Sequence, residues 1–321
     1  MELLGLGVVT IAFFVGFGLL IGVLFGFFGM GGSFLVTPVL LVLGYPATVA
    51  VGSGLAFVFG TSVIGSLRHR AHGQIDYKLA TVLIPGLTLG IEVGRRIVFL
   101  LDELGSADVA IGLVYAGLLG AAGLFVLRDA RTDDTLVEPV GIATAVQAVE
   151  LPPMMTVSGG ATISGWIVLA VGLGIGTLSG CLGIGGGFLL LPLMIYGFGV
   201  PAAVAAGTSL LQITVSGAFG TFVYALSNAV DVPVVAAMLV GSALGARVGV
   251  GATRLVDETD IRGYFAIVLL AGSVATASEQ VGGAYGIEAL ATVSVVLIFG
   301  STLLVGGAIV HASIASLERN A

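Results

Sequence analysis

Two glycine-rich runs carry the residues with the clearest binding chemistry: Gly29-Met30-Gly31-Gly32-Ser33 and Gly183-Ile184-Gly185-Gly186-Gly187. Each Gly costs a helix about 1 kcal/mol relative to Ala. Each run therefore reads as a break, followed by a new helix start. The first N–H groups of a helix have no partner within it and carry partial positive charge. Without a Cβ in the way, a ligand can approach that backbone closely. Together these features suit the capture of a small anion. Ser33, Ser53, Thr208, Ser209 and Gln212 are placed to add side-chain hydrogen bonds. Scattered glycines such as Gly16, Gly18 and Gly172 read instead as helix-packing positions.

Charged residues within apolar stretches are the second group. Glu92, Arg95, Arg96 and Arg247 fall inside predicted helices, and a charge within a membrane is a functional hypothesis by default. Two readings stand. In one, Arg247 faces a central cavity and attracts the anion, with Glu92 as its counter-charge. In the other, Glu92 pairs with Arg96 one turn away and Arg247 snorkels. Asp76 and Asp231 precede predicted helices, where they read as caps rather than proton carriers. His69 and His72 sit with Arg68 and Arg70 in a basic loop. One cysteine, Cys181, and three scattered histidines support neither a disulfide framework nor a zinc site. We expect no cofactor or metal. No nucleophile–base pair is evident either, so an enzyme is not expected.

The elements that must position these residues follow from composition. Of 321 residues, 57% are hydrophobic and 9% charged. Soluble domains carry about 25% charged residues, so the fold class is an all-α polytopic membrane protein embedded in a lipid bilayer. The net charge of −7 argues against a nucleic-acid partner. No charge occurs between Glu2 and Arg68, or from Leu151 to Val230. As helix the first stretch would extend about 98 Å, roughly three crossings of a 30 Å hydrocarbon core. The predicted spans are 5–28, 32–43, 47–67, 78–100, 107–127, 162–181, 187–198, 202–226, 232–252, 262–278 and 285–310. Counted with the two short segments 32–43 and 187–198, these give about 9–11 transmembrane segments. The start of the chain lacks a basic n-region, so a cleaved signal peptide is not expected.

The halves repeat. Gly29 to Pro38 matches Gly183 to Pro192, an offset of 154. After a one-residue insertion the offset is 155. Pro46-Ala47 then matches Pro201-Ala202, Gly52-Ser53 matches Gly207-Thr208, and Asp76 matches Asp231. Gly86 and Gly90 match Gly241 and Gly245, and Glu92 stands opposite Arg247. We read one membrane domain over 1–321: repeat one 5–127, a polar connection 128–161, and repeat two 162–310. The loop from Arg68 to Lys78 is basic, whereas its counterpart from Ser227 to Val232 has no Lys or Arg. Around 101–107 and 253–262 the bias reverses. Basic loops favour the cytoplasm, so equivalent loops lie on opposite sides and the repeats are inverted. Inverted repeats with glycine-interrupted short segments are a transporter signature.

The duplicated Gly-hydrophobic-Gly-Gly-(Gly/Ser)-Phe-x-x-x-Pro motif, with the Gly-(Ser/Thr) pair after it, resembles the TauE/SafE sulfite exporter family over roughly 20–105 and 175–275. The resemblance implies a multi-pass plasma-membrane carrier for small sulfur-containing anions of the sulfite, sulfonate or sulfoacetate class, working by export. It implies binding at Gly29, Gly31, Gly32, Gly183, Gly185, Gly186 and Gly187. The first copy departs from the second with Ser33 in place of Gly187. No Gly-x4-Gly-Lys-(Ser/Thr) pattern is present, so this chain does not hydrolyse ATP. A proton as coupling ion and a homodimer stay open, as does a passive anion channel.

Overall fold

The computed structural model describes residues 2–3, 6–28, 33–131, 151–252 and 258–319. Eleven α-helices occur among them. They are α1 (Val8–Phe28), α2 (Val36–Val42), α3 (Ala47–Ala71), α4 (Tyr77–Glu103), α5 (Ala107–Arg131) and α6 (Gly165–Leu182). The others are α7 (Gly187–Pro192), α8 (Ala202–Ala225), α9 (Val232–Ala252), α10 (Glu258–Tyr285) and α11 (Glu288–Arg319). Two short antiparallel ribbons complete the fold, β1 (Glu2–Leu3) with β2 (Leu6–Gly7) and β3 (Met154–Thr156) with β4 (Thr162–Ser164). Seven helices of the described residues, α3, α5, α6 and α8–α11, are long and apolar enough to cross a membrane. The protein is an all-α polytopic membrane protein. The two short segments next to the glycine runs are short in the structure too. A 3-10 turn (Ser33–Leu35) leads into α2, and α7 runs into a π turn (Leu193–Gly197). The β3–β4 ribbon was not expected, because Pro152, Pro153, Gly159 and Gly160 read as irregular loop.

The chain forms two units. One comprises 1–50, 101–135 and 231–321, and the other 51–100 and 136–230. Each thus combines helices from both halves of the sequence: α1, α2 and α5 with α9–α11 in the first, and α3 and α4 with α6–α8 in the second.

The same crossing recurs inside each unit. In the first, a methyl on Gly18 or Gly22 would sit 2.2 Å from Met238 O or 2.4 Å from Ser242 O, and one on Gly241 or Gly245 within 2.0 Å of Val15 O or Leu19 O. In the second, Gly86 and Gly90 meet the backbone of Leu169 and Leu173, while Gly172 and Gly176 meet that of Leu83 and Leu87. These are the glycines that the repeat offset matches. Residue numbers rise together across each crossing, so the paired helices are parallel. Small residues let backbones touch where no hydrophobic effect drives helices together. Gly18 and Gly172 have the packing role read from sequence, whereas a methyl on Gly16 would meet nothing within 4 Å.

Helices α3 and α8 correspond in the repeat, and they lie against each other within the second unit. Gly52 packs on Tyr224, Gly217 on Phe59 and Gly65 on Leu210, and Thr214 is hydrogen-bonded to Ser62 at 3.0 Å. Numbers rise on one helix as they fall on the other, so equivalent helices run antiparallel. That is the inversion read from loop charge. The facing pairs and the repeat pairs coincide near Gly60–Thr61 and Val215–Ser216, halfway along both helices.

Gly176→Val should cost about 1–3 kcal/mol or more through overpacking. Gly174→Val, two residues away with nothing within 4 Å of its ideal Cβ, should stay within about 0.5 kcal/mol of wild type. Thermal melting in detergent distinguishes them.

Candidate functional site

The second glycine run is well defined. Helix α6 ends when Gly183, at φ +74°, donates its N–H to Ser179 O at 2.7 Å. Gly185 and Gly186 follow at φ +65° and +79°, and α7 starts at Gly187. L side chains disfavour that left-handed region, so glycine is required here. Leu189 and Leu190 donate to Gly186 O, closing the first turn of α7. All of Gly183 to Gly187 is buried.

The break lies midway along the neighbouring helices. A methyl on Gly185 would meet Val58 at 2.3 Å and Ile213 at 3.2 Å. One on Gly187 would meet Ile213 at 2.3 Å, and one on Gly186 would meet Ile175 at 3.0 Å. Val58 and Ile213 are each the twelfth residue of their helix, about 17 Å from its start. From the break α7 turns back. Its Leu190 and Met194, then Phe198 and Val200, share a core with Leu79 at the start of α4 and with Val157 and Ile163 of the β3–β4 ribbon. The half-helix thus returns to the end from which α6 set out.

The sequence-derived residues divide. Gly183, Gly185, Gly186 and Gly187 form the break. Gln212 is fully buried on α8 beside Ile213, and neither its amide nitrogen nor its oxygen has a hydrogen-bond partner. Ser209 donates to Ala206 O on its own helix at 2.9 Å. Thr208 accepts the Asp76 N–H at 2.9 Å, which ties α8 to the start of α4. Ser53 is fully buried. Gly29, Gly31 and Gly32 lie outside the described residues, as does the Ser33 side chain. Two serines not singled out from sequence, Ser179 and Ser216, are also fully buried with unpartnered hydroxyls. Ser179 lies against Gly186, and Ser216 stands one turn beyond Gln212. Both spacings, four residues before Gly183 and four after Gln212, were available as a helical-face signal.

Glu92 follows the local reading. Glu92 accepts from Arg95 Nε and Nη2 at 2.9 Å and from Arg96 Nε at 2.8 Å. Arg95 also stacks over Phe99. Arg247 is exposed on α9. Cys181, half-buried, lies 3.5 Å from Gly94 O. Among the described residues no group of three metal-ligating side chains occurs.

Asp76 and Asp231 both cap helices, accepting from Leu79 N–H at 3.0 Å and Val234 N–H at 3.1 Å. Asp76 also accepts from Ser158 N–H at 2.7 Å, pinning the turn of the β3–β4 ribbon. Burial alone would raise the Asp76 carboxyl, but hydrogen bonds from Leu79, Ser158 and Lys78 outweigh it and hold the group below its ordinary range.

Apolar helices long enough to span, antiparallel equivalent helices and a buried break halfway along its neighbours are features that membrane transporters combine. Comparison with known proteins agrees. Residues 14–276 match the family described as Sulfite exporter TauE/SafE, and the chain belongs to that family. A probable membrane transporter protein of Xylella fastidiosa (strain 9a5c) is 30% identical over 237 residues, 73% of this chain and 82% of the relative. The probable membrane transporter protein YjnA of Bacillus subtilis (strain 168) is 25% identical over 248 residues, covering 72% and 88%. Its counterpart MJ0441 of Methanocaldococcus jannaschii is 24% identical over 260 residues, covering 76% and 87%. No solved structure matches the chain.

Asp76→Ala should cost about 1–2 kcal/mol from the lost cap and open the 151–164 segment to proteolysis. The folded carboxyl is held low, so its contribution is complete above the ordinary carboxylate range. It fades as pH falls through the lowered folded value. Melting curves of wild type and variant should therefore converge in acid.

Proposed function

We propose that this chain is a secondary transporter of small sulfur-containing anions, of the sulfite, sulfonate or sulfoacetate class, working by alternating access in the plasma membrane in the direction of export. The observation that carries the reading is the buried break at Gly183–Gly187, halfway along α3 and α8, with Gln212 unpartnered beside it. A broken helix within a bilayer is tolerated only where protein or a polar cavity meets its backbone. Helix breaks near the midplane of inverted repeats are where carriers bind substrate. The sulfur chemistry and the direction rest on the family's description alone.

In this reading one membrane domain contains repeats 5–127 and 162–310. The anion rests on the amides of the second break, with Gln212 as the first side-chain contact. Gly29, Gly31, Gly32 and the Ser33 side chain, outside the described residues, are the anion contacts proposed for the first repeat. Ser53, Thr208 and Ser209 support helix geometry around the sites. Arg247 draws anions electrostatically from outside the break. Protons serve as coupling ion, and the chain pairs as a homodimer.

The test is sulfite flux into proteoliposomes, against sulfate and chloride, with and without a pH gradient. Saturable flux with counterflow supports a carrier. Flux without saturation or counterflow would make the protein a channel, and no anion flux from folded protein would remove the reading. Gly185→Ala, strained at φ +65° and pressed on Val58, should lower flux at least about tenfold, equivalent to about 1.4 kcal/mol. Arg247→Ala should weaken apparent affinity more at low ionic strength than at high.

A further inference from the structure

Serine and threonine in membrane helices usually satisfy their hydroxyls on a carbonyl one turn back. In the second unit Thr177 donates to Leu173 O, Ser209 to Ala206 O and Thr221 to Gly217 O. Ser179 and Ser216 depart from this, although both are fully buried. Among the described residues six buried side-chain polar atoms lack a partner, and four belong to Ser179, Ser216 and Gln212. All three flank the break. Ser179 lies against Gly186, Gln212 adjoins Ile213, which packs on Gly185 and Gly187, and Ser216 follows one turn later. Buried polar groups left unpaired are costly, so each needs a reason.

The polarity is not duplicated. At the repeat offset Gln212 stands opposite Phe57, Ser179 opposite Phe25 and Ser216 opposite Thr61. Thr61 bonds back to Phe57 O and Val58 O. The Gln212 amide and the Ser179 hydroxyl thus have no polar counterpart in the sequence of the first repeat, while the glycine run does.

The chemistry of this lining is specific. Ser179, Gln212 and Ser216 all lie between Leu151 and Val230, where the chain carries no formal charge, and Arg95 and Arg96 of α4 share Glu92 as counter-ion. A dianion would find no cation here to offset its desolvation. The amide of Gln212 presents two donors and one acceptor, and its acceptor oxygen is as unpaired as its nitrogen. An anion that only accepts hydrogen bonds leaves that oxygen buried against a like partial charge. An anion with both an O⁻ and an O–H satisfies both ends of the amide.

We propose that the second break selects singly charged oxyanions that carry their own proton, of the hydrogen sulfite type, through Gln212 with Ser179 and Ser216. The proposal rests on the reading of this break as the anion site. It puts the transported proton on the substrate, so a pH gradient acts without a titrating side chain at the break.

The experiment compares hydrogen sulfite with methanesulfonate, of the same charge but without an O–H, as competitors for flux in proteoliposomes across a pH series. Wild type should prefer hydrogen sulfite at least about tenfold, because a site built to pair a hydroxyl rejects the analogue lacking it. Flux at fixed total sulfite should rise as pH falls through the range that protonates the dianion. In Gln212→Leu the preference should shrink to about twofold, with folding checked by the melting transition. Equal competition by methanesulfonate in wild type, flux that tracks the dianion, or an unchanged preference in folded Gln212→Leu would overturn the proposal and leave the anion site standing. If neither anion binds or moves, the site reading itself falls, and the selectivity with it.

Discussion

A peptide group that leaves a helix inside a bilayer cannot turn to water, so the protein itself must surround it. In the second unit this constraint falls on Gly183–Gly187. The neighbouring helices approach closely enough that a methyl on Gly185 or Gly187 would collide with Val58 or Ile213. Helix α7 then returns along α6 rather than continuing outward, and its far end is held by Val157 and Ile163 of the β3–β4 ribbon. Asp76 fastens that ribbon through Ser158, caps α4, and is itself held by Thr208 of α8. The break, the half-helix and the ribbon are thus one connected construction.

The duplicated residues separate into two kinds. Gly52 and Gly207 correspond, and each lets a loop carbonyl approach: Ala229 O for Gly52 and Gln74 O for Gly207, both 1.9 Å from an ideal methyl. Those carbonyls lie two residues before Asp231 and Asp76, which cap the next helix in each repeat. The Gly-(Ser/Thr) pair therefore works as a clamp between a helix of one repeat and the loop that launches the following helix of the other. Its recurrence reflects the geometry of that connection. Thr208 has a part in this clamp, since its hydroxyl oxygen accepts the Asp76 N–H.

Much of the scaffold was legible. Hydropathy and charge mark membrane helices strongly because the bilayer penalises every departure, and the helix bounds lie within a few residues of the predicted spans for most elements. The inversion was legible through Arg68, Arg70, Arg254 and Arg262, since loop charge responds to the side of the membrane. The pairing of helices was not. Nothing local in Gly90 says that its partner is Leu173 of the other half, because glycines at four-residue spacing fit any close crossing. The ribbon was missed because Pro and Gly signal turns more clearly than they signal the short strands between them. At the site, Gln212 stood out as an amide in an apolar helix. Ser179 and Ser216 did not, because a buried serine that bonds back to its own helix and one that does not have the same sequence signature. For Glu92 the structure selects the local one of the two sequence readings. The repeat offset pairs it with Arg247, but side chains three and four residues away on the same helix reach it first.

A duplicated fold requires each scaffold contact twice, once per copy. Gly18 and Gly22 recur as Gly172 and Gly176, and Gly86 and Gly90 recur as Gly241 and Gly245, because a crossing that fails in either copy would unpair two helices. A small ligand sets no such demand. In the proposed reading one break lined with Gln212, Ser179 and Ser216 suffices to hold it, and further buried polar groups would add a desolvation cost. In the first repeat Phe57 stands where Gln212 stands in the second. Conformational symmetry and chemical asymmetry then have separate physical origins. The first follows from backbone packing, which tolerates only glycine at the crossings. The second follows from desolvation, which makes an unpaired buried polar atom costly unless, as proposed for the second break, a substrate pairs it.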